Sequence, residues 1–172
     1  MIAEGTTDLG VVAKGYAAAT AGRERRLIVC AGTGCVANGA LKVHAALAER
    51  LAAAGVKATL ELREEADNSG VHLSRSGCQG FCQMGPLVTV EPDGLLYTRV
   101  KPEDAEEIVR TTVIGRQAVE RLLYVSPTDG TRCRGVGDIP FYARQARRVL
   151  RRCGVIDPED IREYIAGGGY AM

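Results

Sequence analysis

The sequence lacks the features of several large classes of protein. No apolar run among its 172 residues approaches the roughly 20 residues of a membrane span. The N-terminus does not show the charged-then-apolar pattern of a secretory signal. Its 22 basic and 21 acidic residues leave a net charge of +1, without the basic excess of a nucleic-acid-binding protein. We therefore expect a cytoplasmic protein with no membrane insertion and no nucleic-acid partner.

The sequence also lacks any Cys-x-x-Cys pair, although it contains six cysteines. Thiol-disulfide oxidoreductases and most zinc knuckles use that pair, so both are disfavoured. In a reducing compartment, six cysteines point to metal or redox chemistry rather than to structural disulfides. With 46% hydrophobic residues, the chain can bury the core of one ordinary domain, or of a small domain with an appendage.

Four of the six cysteines fall in two short glycine-rich loops. The first reads Cys30-Ala-Gly-Thr-Gly-Cys35 and the second Cys78-Gln-Gly-Phe-Cys82. Four converging thiolates hold either an iron-sulfur cluster or structural zinc. The glycines favour the cluster, because they let the backbone curl around a bulky inorganic core and direct N–H groups at its sulfurs. We predict that Cys30, Cys35, Cys78 and Cys82 form one metal site.

The hydrophobic pattern around these loops predicts a thioredoxin-like α/β layout of strand, helix, strand, hairpin and helix. The predicted elements are a lead-in helix before residue 24, a strand over 27–29, a helix over 40–54, a strand over 58–63, a possible strand edge over 71–73, hairpin strands over 87–90 and 95–98, and a helix from Pro102. Val43, Leu47 and Leu51 form the apolar stripe of the helix over 40–54.

Beyond residue 115 the sequence becomes rich in glycine and proline, which indicates a boundary. Tyr142, Ala146, Val149, Leu150 and Cys153 share one face of a predicted tail helix, and Asp157-Pro158 resembles the start of a second helix. We predict four parts: a lead-in helix over 1–24, the thioredoxin-like domain over 25–114, a linker over 115–139 and a helical pair over 140–172.

The two cysteine pairs, Cys-x4-Cys and Cys-x3-Cys, resemble those of thioredoxin-like 2Fe-2S ferredoxins and of the 2Fe-2S subunit of respiratory complex I. The stretch around Cys30–Cys35, with Ala40-Leu-Lys-Val43 and Gly85-Pro-Leu-Val88, is similar to the N-terminal part of the beta subunit of NAD(P)-linked iron hydrogenases and formate dehydrogenases. Asp138-Ile-Pro-Phe141 and the Gly168-Gly169-Tyr170 end resemble the segment ahead of the flavin domain in that subunit and in the NADH-binding subunit of complex I.

This resemblance implies a 2Fe-2S cluster held by Cys30, Cys35, Cys78 and Cys82, and a function in one-electron relay within an NAD(P)H-linked oxidoreductase complex. FMN, NAD and a 4Fe-4S cluster belong to the family's downstream domains, and the sequence given ends at Met172 before them. The expected partners are the flavin/NADH-binding domain, a hydrogenase or formate dehydrogenase catalytic subunit and a small 2Fe-2S subunit. We expect no bond-breaking chemistry from this chain alone. The alternative is a zinc-stabilised assembly domain without redox activity.

A looser pattern, Gly32-x-Gly34-x-x-Ala37, matches the dinucleotide-binding fingerprint but leaves the four cysteines unexplained. Cys153 is expected to be a buried free thiol on the tail helix. Cys133, between two arginines, is either a reactive thiol or incidental.

His44 and His72 are expected at the surface or an interface rather than as ligands. Phe81 either shields the cluster from water or packs in the core. Five arginines of the tail form a basic face that is expected to dock on a protein partner or to remain solvated. They are Arg144, Arg147, Arg148, Arg151 and Arg152.

Overall fold

The computed structural model describes residues 7–62 and 68–170. Its main sheet has five strands: β1 (Arg23–Cys30), β2 (Ala58–Thr59), β3 (Gly70–Ser76), β4 (Val88–Glu91) and β5 (Leu95–Tyr97). Their spatial order is β2-β3-β1-β4-β5. The pairs β1–β3 and β2–β3 are parallel, whereas β1–β4 and β4–β5 are antiparallel. The central strand β1 is buried on both faces from Arg25 to Cys30.

The helices are α1 (Leu9–Thr20), α2 (Thr33–Ala37), α3 (Ala40–Ala53), α4 (Ala105–Glu107), α5 (Pro140–Ala143) and α6 (Ile161–Ala166). A 3-10 turn over Pro102–Asp104 precedes α4, and a π-helical stretch over Ile108–Ile114 follows it. No helix of the described residues is long and apolar enough to cross a membrane.

One face of the sheet carries the apolar core. Leu27 and Val29 of β1 and Leu73 of β3 lie in one cluster with the predicted α3 stripe of Val43, Leu47 and Leu51, all nearly or fully buried. Side chains alternate between the two faces of a strand, so β1 and β3 must present a different set of residues on the other side. The stripe of α3 and the hairpin of β4 and β5 are confirmed.

The opposite face of the sheet is polar and also buried. Arg26 of β1 donates through Nε to Ser74 Oγ at 2.7 Å, and its two terminal nitrogens bind both carboxylate oxygens of Glu163 at 2.6 and 2.9 Å. Glu163 lies on α6, which packs against α1. A bidentate, hydrogen-bonded arrangement of this kind is what allows a charge pair to be buried. The pair therefore joins the C-terminal part of the chain to the central strand.

His72 lies on this same face of β3, where it is 4% exposed. The expectation of a surface or interface position was wrong for His72. Burial lowers its pKa to about 4, and the nearby guanidinium of Arg26 acts in the same direction. His72 is therefore neutral at neutral pH. Half-buried His44 also has a lowered pKa, mainly because of burial.

Two predicted strands differ from the observed ones. The strand predicted over 58–63 ends at Thr59, and the Leu62 carbonyl accepts a hydrogen bond from Arg162 instead of a strand partner; residue 63 lies outside the described residues. The segment predicted as a possible edge over 71–73 is the longer strand β3, placed between β1 and β2.

The tail also differs from prediction. The helix predicted through Cys153 ends at Ala143, and turns follow it, with Val149 and Leu150 largely exposed. The second helix begins with Asp160 as its N-cap rather than Asp157, because the Asp160 carboxylate accepts from the N–H of Arg162. Cys153 lies half-buried in a turn and not on a helix.

Residues 115–139, predicted as a linker, pack on the five-stranded sheet and its helices. The short hairpin of β6 (Tyr124–Val125) and β7 (Arg132–Cys133) lies here. Thr98 N donates to the Leu122 carbonyl at 2.8 Å and Leu96 N to the Arg134 carbonyl at 2.7 Å, so the segment is hydrogen-bonded alongside β5 while β6 and β7 remain a separate two-stranded sheet. Whether the four predicted parts are separate domains stays a prediction.

We expect Glu163→Gln to lower the free energy of unfolding by about 3 kcal/mol, because it leaves the buried Arg26 charge without its counter-ion. The measurement is the denaturant midpoint. The control is Glu24→Gln, which removes an exposed pair with Arg116 at 3.8 Å and should cost less than about 1 kcal/mol. Equal midpoints for the two variants would contradict a structural function of the buried pair.

Candidate metal centre

The two cysteine loops leave the same edge of the sheet. Cys30 is the last residue of β1 and pairs in register with Ser76, the last residue of the parallel strand β3. Because parallel strands end at a common edge, the loops that follow them meet there. Cys35 lies on the short helix α2 and Cys82 begins a 3-10 turn over Cys82–Met84. The sequence pattern did not reveal α2.

The loops are in direct contact. A Cβ atom added to Gly32 would lie 2.8 Å from Cys78 Cα, and one added to Gly85 would lie 2.6 Å from Cys35 Sγ. Both distances are shorter than van der Waals contact, so only glycine allows this approach. Gly32 and Gly34, the core of the dinucleotide-binding pattern, pack instead against Cys78 and Cys82. These contacts explain why glycine occurs at both positions, so the pattern does not require a bound nucleotide.

The four thiols form two pairs. Cys78 Sγ lies 3.6 Å from Cys82 Sγ, and the thiols of Cys30 and Cys35 shift each other's pKa. Cys30 and Cys35 are buried, whereas Cys78 and Cys82 are exposed. Among residues 7–62 and 68–170, no group of three or more histidine, cysteine or acidic side chains is arranged to hold a single metal ion. Two pairs of thiols, one on each of two loops in contact, fit a two-iron group, which needs two protein ligands on each iron.

The pKa of one thiol in the first pair is lowered. The hydrogen bond from Cys35 lowers the pKa of Cys30 to about 6, and backbone N–H groups of Gln79 and Gly32 act in the same direction against burial. The pKa of Cys35 is raised by its hydrogen bond to Cys30 and by burial. The hydrogen bond with Cys78 raises the pKa of Cys82. Cys30 is therefore the thiol of the first pair that loses its proton more readily, and the thiolate is the form that binds metals.

Phe81 and Tyr142 lie at the second cysteine loop, whereas Cys133 lies on β7. Phe81 packs edge to face with Tyr124 and with Tyr142, with ring centroids 5.1 Å apart in each case, so it belongs to an aromatic group on the outer side of the second loop. Cys133 is buried, and burial raises its pKa, which makes a reactive thiolate unfavourable. Tyr142 was missed as a site residue because no local pattern connects it with a loop sixty residues earlier.

The sheet, the helices on it and the four-cysteine edge define a class of proteins: electron carriers with a cysteine-bound cluster on a thioredoxin-like α/β fold. The family model described as thioredoxin-like [2Fe-2S] ferredoxin matches residues 14–113, more than half of the chain. The chain belongs to this family. The predicted fold class and the 2Fe-2S cofactor are thereby confirmed, and the family supports a function in electron transfer.

The chain is similar to two curated 2Fe-2S ferredoxins. That of Aquifex aeolicus (strain VF5) is 49% identical over 51 residues, which cover 30% of this chain and 46% of the relative. That of Clostridium pasteurianum is 40% identical over 55 residues, which cover 32% of this chain and 54% of the relative. The chain thus spans about half the length of the curated relatives that it matches.

Among solved structures, the wild-type thioredoxin-like ferredoxin of Aquifex aeolicus superimposes with a TM-score of 0.47 at 30% identity, covering 58% of this chain and 95% of that chain. A second structure of a thioredoxin-like ferredoxin from the same organism gives a TM-score of 0.47 at 29% identity, covering 60% of this chain and 92% of that chain.

We expect Gly32→Ala to abolish or strongly reduce cluster incorporation, since the new methyl group would collide with the backbone of Cys78 rather than with a movable side chain. The measurement is iron and sulfide content per chain after anaerobic purification. Gly77→Ala is the matched control, because a Cβ there meets nothing within 4 Å. Equal cluster content in both variants would show that the contact between the loops is dispensable.

Proposed function

We propose that this chain is an electron-transfer module in which Cys30, Cys35, Cys78 and Cys82 hold the 2Fe-2S cluster. The observation that carries this assignment is the meeting of the two thiol pairs at one edge of the sheet, with the loops in contact at Gly32 and Gly85. When bound, a 2Fe-2S cluster accepts and releases one electron at a time. The protein supplies four thiolates and the backbone N–H groups that face their sulfurs.

The two thiol pairs differ in exposure, which indicates the side from which an electron partner approaches. Cys30 and Cys35 are enclosed by the core, while Cys78 and Cys82 reach the surface. An electron partner therefore approaches closest on the side of the second loop. The backbone N–H groups of Gln79 and Gly32 face Cys30, and that of Leu87 faces Cys35. These donors compensate for the cost of burying negative charge on the enclosed side.

We further propose that the module works within an NAD(P)H-linked complex of the hydrogenase or formate dehydrogenase type. The resemblance of its cysteine loops and tail to the beta subunit of those enzymes supports this placement. The expected partners are the flavin/NADH-binding domain, the catalytic subunit and a small 2Fe-2S subunit, and the expected location is the cytoplasm.

The surface of the tail supports a protein partner. Val149 is 95% exposed and Leu150 61% exposed, and both lie between Arg148 and Arg151. Within the described part of the chain, neither arginine makes a hydrogen bond or ion pair. Exposed apolar side chains next to basic ones are complementary to a protein surface that has an apolar centre and acidic residues around it. This patch of residues 148–151 is the surface we propose for the flavin-binding partner.

The test of the cofactor and its ligands is analysis of iron and sulfide in the anaerobically purified protein, with an EPR spectrum after reduction by dithionite. We expect about two irons and two sulfides per chain and a signal from one unpaired electron. Cys78→Ser should lose or alter this signal. Cys153→Ser, which changes a half-buried thiol in a turn of the tail, should retain it.

One zinc per colourless chain would instead establish the alternative, a structural module on the same fold. An unchanged spectrum in Cys78→Ser would remove that residue from the ligand set while leaving the family assignment intact.

The partner surface is tested by anaerobic reduction of the cluster by NADH in the presence of the purified flavin-containing NADH-binding subunit from the same organism. We expect Arg148→Glu/Arg151→Glu to slow this reduction about tenfold at low salt, because charge reversal removes electrostatic steering. Cluster absorbance should not change. Lys42→Glu/Arg50→Glu makes the same change of charge on exposed residues of α3 and serves as the control.

Equal rates for the two double variants would contradict docking through the tail patch. If NADH and the flavin subunit fail to reduce the wild-type cluster, the placement in an NAD(P)H-linked complex is wrong, whatever the variants do.

A further inference from the structure

Two hydrogen bonds join the tail to the second cysteine loop. Tyr142 Oη donates to the Gly80 carbonyl at 2.8 Å, and Arg147 Nη2 donates to the Gln79 carbonyl at 2.9 Å. The Arg147 guanidinium also lies over the Tyr142 ring, with Cζ 5.4 Å from the ring centroid. Two consecutive carbonyls between Cys78 and Cys82 are therefore bound by residues from the far end of the chain.

The peptide group between Gln79 and Gly80 connects Arg147 to Cys78. Its carbonyl oxygen accepts the hydrogen bond from Arg147, and its N–H, which belongs to Gly80, donates to Cys78 Sγ at 3.4 Å. Hydrogen bonds in such a chain polarise one another. A cation at the carbonyl end therefore makes the N–H a stronger donor to the sulfur.

Arg147 differs in this respect from the other arginines of the tail. Arg152 donates to the carbonyls of Tyr164 and Gly167 and stacks over the Tyr164 ring, with Cζ 5.0 Å from its centroid. Arg148 is exposed, and within the described residues it makes no hydrogen bond. Arg147 is the tail arginine whose donor reaches the cysteine loop in the part of the chain that the structure describes.

We propose that Arg147 is a positioning residue that raises the reduction potential of the site by strengthening the Gly80 N–H···Sγ hydrogen bond to Cys78 and by placing a positive charge beside it. The proposal rests on the proposed function, in which Cys78 is a ligand. Reduction adds one electron from an external donor and breaks no bond, so the site gains one negative charge. Hydrogen bonds to the sulfurs and nearby positive charge favour that more negative state.

The experiment is a redox titration of Arg147→Gln, Arg147→Lys and Arg148→Gln, with dithionite as reductant and the EPR signal of the reduced protein as readout. We expect Arg147→Gln to shift the midpoint to more negative potential than the wild type. Arg147→Lys, which keeps the charge, should recover most of the shift. Arg148→Gln makes the same change of charge one residue away and should coincide with the wild type.

Equal midpoints for Arg147→Gln and Arg148→Gln at full cluster content would overturn the proposal. Should Arg147→Gln lose the cluster, Arg147→Met is compared with Arg148→Met, since both changes remove the charge: a more negative midpoint for the first supports the proposal, and equal midpoints overturn it. A wild-type protein without a cluster signal would overturn the proposed function itself. That failure is distinguishable from a failure of the Arg147 proposal, because it is seen in the wild type before any variant is compared.

Discussion

The parallel pairing of β1 with β3 is the constraint on which the site depends. Because Cys30 and Ser76 occupy matching ends of these strands, both cysteine loops begin at one edge of the sheet. The chain then needs glycine at Gly32 and Gly85, where backbone and sulfur come closer than a Cβ would allow. A shift of this register by one residue would send the side chains to the opposite faces and separate the thiol pairs. Local loop composition alone could not bring the four thiols together.

The same central strand ties the tail to the sheet. Arg26 lies four residues before Cys30 on β1 and is held by Glu163 of α6. The Coulomb attraction of this buried pair mainly offsets the cost of desolvating both charges. It holds the C-terminal segment on the polar face of the sheet. From there residues 139–154 reach the second cysteine loop, where Tyr142 and Arg147 bind its carbonyls.

The distribution of charge and exposure separates two sides of the centre. On the enclosed side, backbone N–H groups of Gln79, Gly32 and Leu87 face the sulfurs of Cys30 and Cys35. On the exposed side, Cys78 and Cys82 are bordered by aromatic rings and by the guanidinium of Arg147. The enclosed side is set by the ferredoxin core, whereas the outer side is completed by the tail. The proposed partner surface over residues 148–151 directly follows Arg147 in the chain.

The resemblance of the cysteine loops to a known family favoured a 2Fe-2S cluster over zinc. Periodicity and spacing by themselves determined the α3 stripe, the β4–β5 hairpin and the two cysteine loops. These features are local, because a stripe, a turn or a thiol pair is encoded within a few residues. Tertiary structure alone decided the position of β3, the burial of His72, the early end of the tail helix and the contacts of Tyr142 and Arg147. These features depend on residues distant in the sequence: the pairing of β1 with β3 joins Cys30 to Ser76, Tyr142 binds Gly80, and Arg147 binds Gln79. His72 resembles a surface residue in the sequence, but its strand lies between β1 and β2 and His72 is buried there. The stripe ending at Cys153 resembles a helix, although Val149 finds no apolar surface to cover it.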